Sequence, residues 1–185
     1  MSLWTPNQRT LTKDDHDALV EIGRDAHSVV EFGPGYSTFA FIEAGVEEIV
    51  GLEHDPHWFD VQTERFKDYP QVEIKRYENE GPVARVPDCV ASCQFDIALV
   101  DSPKGYKAAR IVHAGQEDCS RLNTCFAALK LAPVVYLHDA CRPLERGSLN
   151  RLSSLGYKVE HINVRGESYG LARITHAVHE SGFSQ

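Results

Sequence analysis

Val29-Val30-Glu31-Phe32-Gly33-Pro34-Gly35-Tyr36-Ser37-Thr38 is the stretch from which the rest of the chain can be read. Its apolar start suits a buried parallel strand, and Gly33 and Gly35 allow a tight turn where backbone can approach a ligand closely. From Tyr36 to Ile42 a helix can begin, with unpaired amide N–H groups facing an anionic group held over the turn. Gly33, Pro34, Gly35 and Tyr36 therefore read as a ligand-binding strand-turn-helix. A surface turn with two glycines has the same letters, and the neighbouring sequence has to decide between them.

Downstream, Glu48-Ile49-Val50-Gly51-Leu52-Glu53 reads as a second strand, closed by an acid 20 residues after Gly33 (53 − 33). An acid at that point can accept hydrogen bonds from both ribose hydroxyls of an adenosine group. A dinucleotide turn calls for a third glycine at position 38, where Thr38 stands, and gains little from Glu31. A ligand with a positive centre and an amino-acid end uses both: Glu31 near the ammonium or sulfonium, and the helix-start amides with the Ser37 and Thr38 hydroxyls on the carboxylate.

The remaining chain alternates strands and helices. Leu11 to Ala26 starts with Thr12 and acids and spaces Leu19, Val20 and Ile22 as a helix against the sheet. Pro56 opens a helix with Trp58, Phe59, Val61 and Phe66 on its apolar side. Trp4, Trp58 and the Phe residues read as packing rather than as substrate platforms. Val72 to Tyr77 alternates as a third strand. Between Glu78 and Ala91, Gly81, Pro82 and Pro87 indicate loop with one short helical piece. Phe95 to Asp101 is a strand ending in an acid, a helical stretch spans about Ala108 to Leu131, and Val134 to Leu137 is a strand running into His138 and Asp139. Leu144 to Leu155 is a helix closed by Gly156. Tyr157–Val164 and Tyr169–Ile174 are joined by four residues, too few for a helical crossover, and so form a hairpin.

These elements predict an α/β fold: a Rossmann-like, doubly wound, mostly parallel seven-stranded sheet with an antiparallel C-terminal hairpin. One domain covers 1–185, with an N-terminal helical segment at 1–27 and a flexible tail at 176–185. Ligands in such sheets sit beyond the carboxyl ends of the strands. Glu31, Glu53, Asn79, Asp101, His138 and Asp139 are the residues expected there.

A net charge of −8 over 185 residues disfavours nucleic acid or an anionic membrane as partner, since both need a basic face. Five cysteines without a CxxC pair fit reduced, mostly buried thiols better than a disulfide framework or zinc cluster. No apolar run approaches the roughly 20 residues of a membrane helix, so a cytoplasmic protein is expected. The oligomeric state, a homodimer included, is not set by the sequence.

EFGPGYST followed by GLEHD resembles the first two motifs of the class I S-adenosylmethionine-dependent methyltransferases, and the likeness extends to the terminal hairpin. Ser37 departs from the family's third glycine. The resemblance implies S-adenosyl-L-methionine as cofactor, an adenine contact on Glu78 or Asn79 after the third strand, and His54 packed on the adenine. DIALVDSPKGY and VVYLHDACRPLER are similar to O-methyltransferases acting on sugars or other hydroxyl compounds, most nearly the polysaccharide-modifying glucuronoxylan type. Ser102, Ala140, the short chain and the missing membrane anchor depart from that pattern. An acceptor that is a small molecule or saccharide is implied, with Tyr106 in the substrate loop.

Methyl transfer from a sulfonium to an alcohol needs positioning and a group to take the hydroxyl proton. Asp101 is the first choice for that group and also lines the cofactor; His138 is the second, with Asp139 beside it. The same three residues could instead collect Mg²⁺ or Mn²⁺. Lys104, Arg110 and Arg142 are placed to meet an acidic substrate. A nicotinamide-dependent oxidoreductase or a non-catalytic nucleoside-binding module would also use the Gly33 turn and Glu53.

Overall fold

A computed structural model describes residue 3 and residues 11–80, 82–103, 121–162 and 170–177. Along the chain run α1 (Lys13–Gly23), β1 (Ser28–Phe32), α2 (Tyr36–Ala44), β2 (Glu48–Glu53), α3 (Pro56–Phe66), β3 (Val72–Arg76) and α4 (Asp88–Ala91). Then come β4 (Ile97–Val100), α5 (Leu122–Leu131), β5 (Val134–His138), α6 (Pro143–Ser154), β6 (Tyr157–Ile162) and β7 (Leu171–His176). The seven strands form one sheet in the order β3-β2-β1-β4-β5-β7-β6. Strands β1 to β5 are parallel, and β7 runs antiparallel between β5 and β6. The predicted architecture holds.

Local chemistry explains the elements. Thr12 caps α1 by accepting the Asp15 N–H at 3.1 Å, and Asp55 caps α3 through the His57 and Trp58 amides, with Pro56 in the first turn. Strand β1 is buried along its whole length, as a central strand between two helical layers must be. Its alternate side chains feed two cores: Val30 and Phe32 meet Leu122, Ala128 and Leu149 on one face, while Val29 meets Leu19, Ala40 and Phe41 on the other. Strand order reverses between the parallel β1 and β4, and α/β sheets commonly take ligands beyond the carboxyl ends of the strands at such a point, here after Phe32 and Val100.

Three expectations need correction. Trp58 is 40% exposed, because the buried face of α3 is carried by Gln62 and Phe66. Thr175 and His176 belong to β7, paired with Lys158 and Tyr157, so the ordered chain extends past the expected start of the tail. Of the four described cysteines only Cys125 and Cys141 are buried; all four are free thiols. Among the described residues no helix is long and apolar enough to cross a membrane. Lys104, Tyr106, Arg110, Cys119 and most of the stretch expected as helix before Leu122 lie outside the described residues.

Candidate active site

The turn after β1 is shaped by its neighbours. Gly33 has φ +92, and a Cβ there would lie 2.6 Å from Ser102 Cβ, so the glycine is required by the chain leaving β4. Gly35 is different: its backbone is extended (φ −175) and a Cβ would meet nothing within 4 Å. The close approach thus falls on Gly33, and the open space lies over Gly35. Pro34 packs on Gly51 of β2, where a Cβ would come within 2.9 Å of it.

Glu31 is fully buried on β1, and both of its oxygens accept hydroxyl hydrogens, one from Ser37 and one from Thr38 at 2.6 Å. Thr38 Oγ1 in turn accepts the Gly35 N–H at 3.0 Å. These contacts correct the expectation that the two hydroxyls are open to a ligand carboxylate. No side chain caps the start of α2, so the amides of Tyr36, Ser37 and Thr38 are the donors left to an anion. Burial pushes the Glu31 carboxyl up to about 7 against the pull of the two hydroxyls, with Asp101 adding to the rise.

At the end of β2, Glu53 is almost buried and its Oε1 accepts the Asp55 N–H at 2.9 Å. His54 Nδ1 lies 3.0 Å from that oxygen and 3.1 Å from Ser102 Oγ, and its ring sits 5.6 Å from Tyr77. The ends of β2, β3 and β4 are therefore joined through His54, Tyr77 and Ser102. Glu78 bridges to Arg85 and its side chain is 73% exposed. Asn79 points inward and accepts from Asn123 Nδ2 at 2.9 Å.

The third part of the site lies beyond β4 and β5. Asp101 Oδ1 accepts from His138 Nδ1 at 3.0 Å and lies 3.2 Å from Arg121 Nη1. Asp139, at φ +58, lies 3.3 Å from Arg121 Nη2 and 2.7 Å from Arg142 Nη1. Behind them, His138 Nε2 faces Asp15 of α1 at 3.5 Å. Burial opposes charge on His138, but Asp101 foremost, with Asp15 and Asp139, pushes it up to about 10. Asp101 moves the other way: burial works to raise it, and His138, Arg121 and Arg142 hold it below the usual carboxylate range. Asp139 is raised, mainly by burial. Both ring nitrogens of His138 therefore face carboxylates, Nδ1 toward Asp101 and Nε2 toward Asp15. Asp101 keeps a quarter of its side chain exposed, whereas His138 is buried.

Arg121, Asp15 and Glu145 are site residues the sequence reading missed. Arg121 sat inside an expected helix and Asp15 in a helix assigned to sheet packing, so no local pattern marked either.

No family model matches the sequence, and no curated protein does. Solved structures match along most of the chain. A precorrin-6y C5,15-methyltransferase from Geobacter metallireducens shares 14% identity over 94% of both chains, with a TM-score of 0.63. The N-terminal domain of EvdMO1, crystallised in the presence of SAH and D-fucose, shares 17% identity over 89% of this chain and 82% of that one, with a TM-score of 0.58. A 23S rRNA methyltransferase, ErmE, shares 14% over 90% and 69%, at 0.55. The chain has the methyltransferase fold. In this methyltransferase fold the antiparallel β7 lies between β5 and β6, whereas a dinucleotide-binding sheet runs 3-2-1-4-5-6. Gly35, Glu53 and Asp101 all stand at the carboxyl edge of its sheet, at the ends of or just beyond β1, β2 and β4. A separate cavity of about 610 Å³ by α6 and β6, touching Arg146, Asn150 and His161, is lined by none of these residues.

The donor set for a divalent ion is present, since Asp101, His138 and Asp139 offer atoms within 4.8 Å of one another. Asp139 Oδ1 also has no hydrogen-bond partner, which an ion would explain. Against this, His138 Nδ1 donates to Asp101, and the guanidinium groups of Arg121 and Arg142 already neutralise the carboxylates. The two guanidinium groups thus lie against Asp101, Asp139 and Glu145 at the place an ion would take, so the residues do not fit a further dication.

Proposed function

We propose that the chain is an S-adenosylmethionine-dependent methyltransferase that methylates a hydroxyl of a small molecule or saccharide. The observation that carries this reading is the placement of Gly35, open above its backbone, between Glu53 on the neighbouring strand end and Asp101 on the other. Glu53 would take the ribose hydroxyls, and the α2 amides would take the methionine carboxylate. Asn79 is the adenine-side candidate favoured by its inward position, with Glu78 turned to Arg85.

A cofactor held over Gly35 would supply the methyl group as a sulfonium, leaving as a thioether when an acceptor oxygen takes the methyl, and Asp101 would accept the hydroxyl proton. His138 and Arg121 hold Asp101 in place during that transfer. Arg142, 39% exposed while bound to Asp139, is the described cation able to meet an acidic acceptor such as a uronate. Lys104, Tyr106 and Arg110 follow Pro103 in sequence and are proposed for the same side.

Calorimetric titration with S-adenosylhomocysteine and, separately, NADH tests the reading. Saturable binding of S-adenosylhomocysteine that Glu53→Ala weakens is expected; preference for NADH would point to an oxidoreductase. Tight binding of S-adenosylhomocysteine with no transfer to any hydroxyl acceptor would favour a non-catalytic binding module.

A further inference from the structure

We infer that Arg121 is a built-in cation of the acceptor edge, its guanidinium holding Asp101 and Asp139 in the role a divalent ion would otherwise fill. This inference rests on the methyl-transfer reading for its purpose, and its test requires no turnover. Arg121 is 2% exposed, and its backbone is left-handed at φ +61, a conformation a long side chain adopts when its surroundings impose it. Two backbone carbonyls fix the group: Nε donates to Pro103 O and Nη1 to His138 O, each at 3.0 Å. From that position it reaches Asp101 Oδ1 at 3.2 Å, Asp139 Oδ2 at 3.3 Å and Glu145 Oε1 at 3.7 Å.

One side chain thus ties the ends of β4 and β5 to the first turn of α6. The planar fork of an arginine suits this better than a lysine, because its donors point to several acceptors at fixed angles and it keeps its charge at any working pH. As a positioning residue, Arg121 keeps Asp101 ionised and aimed while leaving its exposed part to the acceptor. It also occupies the carboxylate oxygens that a metal ion would need. Asp139 Oδ1 is buried without a hydrogen-bond partner, with His138 Nδ1 3.8 Å away, so the alternative occupant is a divalent ion on that oxygen.

Titrating the whole chain with Mn²⁺, followed by calorimetry and electron paramagnetic resonance, separates the two. Wild type is expected to show no saturable Mn²⁺ binding at millimolar concentration, and chelator is expected to leave S-adenosylhomocysteine binding unchanged. Arg121→Gln is expected to gain about ten-fold or more in Mn²⁺ affinity, and adding Asp139→Asn should remove that gain. Arg121→Lys, which keeps the charge, should gain none. One Mn²⁺ bound per wild-type chain and lost in Asp139→Asn would overturn the inference, and so would a folded Arg121→Gln that gains no affinity. Should Arg121→Gln fail to fold, the wild-type titration alone, compared with Asp139→Asn, still decides. A failure of S-adenosylhomocysteine to bind would sink the methyl-transfer reading and leave the Mn²⁺ result standing.

Discussion

Two acids just a few residues apart in the sheet, Glu31 in β1 and Asp101 beyond β4, live in opposite surroundings. Glu31 is held by two hydroxyls, and burial pushes it up to about 7 against their pull and the weaker pull of His138. Asp101 meets an imidazolium and a guanidinium and stays charged. Environments that drive two carboxyl groups apart assign them different tasks. Glu31 braces the turn after β1, and in the proposed reading Asp101 is the acid that would meet the acceptor.

The largest effect that can break this contrast is on turnover. Asp101→Asn should lower methyl transfer by about 100- to 10,000-fold, the range of general acid–base contributions, while Glu31→Gln should leave it within about ten-fold. Equal losses in both variants, measured with a common acceptor, would remove the division of labour.

Stability gives the next test. Arg121→Leu leaves the buried Asp139 and Glu145 without their central cation and should cost about 3–5 kcal/mol in urea unfolding. A cost below about 1 kcal/mol would mean the network is dispensable.

The pH dependence separates the two acids directly. Glu31 is raised in the folded state, so its contribution is complete below its ordinary value of 4.5 and is lost as pH rises toward about 7. Roughly 3 kcal/mol is at stake, and Glu31→Gln should flatten the loss. Asp101 is lowered, so its contribution is present above 3.8 and disappears on acidification below that value. His138, raised from 6.5 to about 10, contributes fully below pH 6.5 and loses that contribution as pH approaches 10. Melting temperatures from pH 3 to 10 for wild type, Glu31→Gln and Asp101→Asn would show whether the windows fall in this order.

A smaller effect sharpens the reading of the turn. Gly33→Ala should cost about 1–3 kcal/mol through its positive φ and its contact with Ser102, whereas Gly35→Ala should leave stability nearly unchanged and weaken S-adenosylhomocysteine binding. Equal melting shifts would contradict the assignment of open space to Gly35.

The same contrast explains what the sequence could reveal. Glu31, Gly33, Gly35, Ser37 and Thr38 lie within eight residues, so their hydrogen bonds are local and their pattern is visible in one line. Even there the hydroxyls turned inward, because a fully buried carboxyl group needs hydrogen-bond donors more urgently than a solvent-facing ligand does. The sheet and its closing hairpin were legible because strand period and loop length limit the possible connections. Around Asp101 the partners come from α1, the residue before α5, β5 and α6, far apart in the chain. Arg121 and Asp15 have no meaning as a pair until the fold brings them to one edge. Trp58 shows the same limit on a helix, since apolar spacing alone did not say which face Gln62 and Phe66 would bury.

A crystal structure with S-adenosylhomocysteine bound tests the central claim most directly. The account predicts the ribose on Glu53, the carboxylate on the α2 amides above Gly35, and the sulfur facing Asp101. A ligand whose ribose lies away from Glu53, or whose sulfur points away from Asp101, would contradict it.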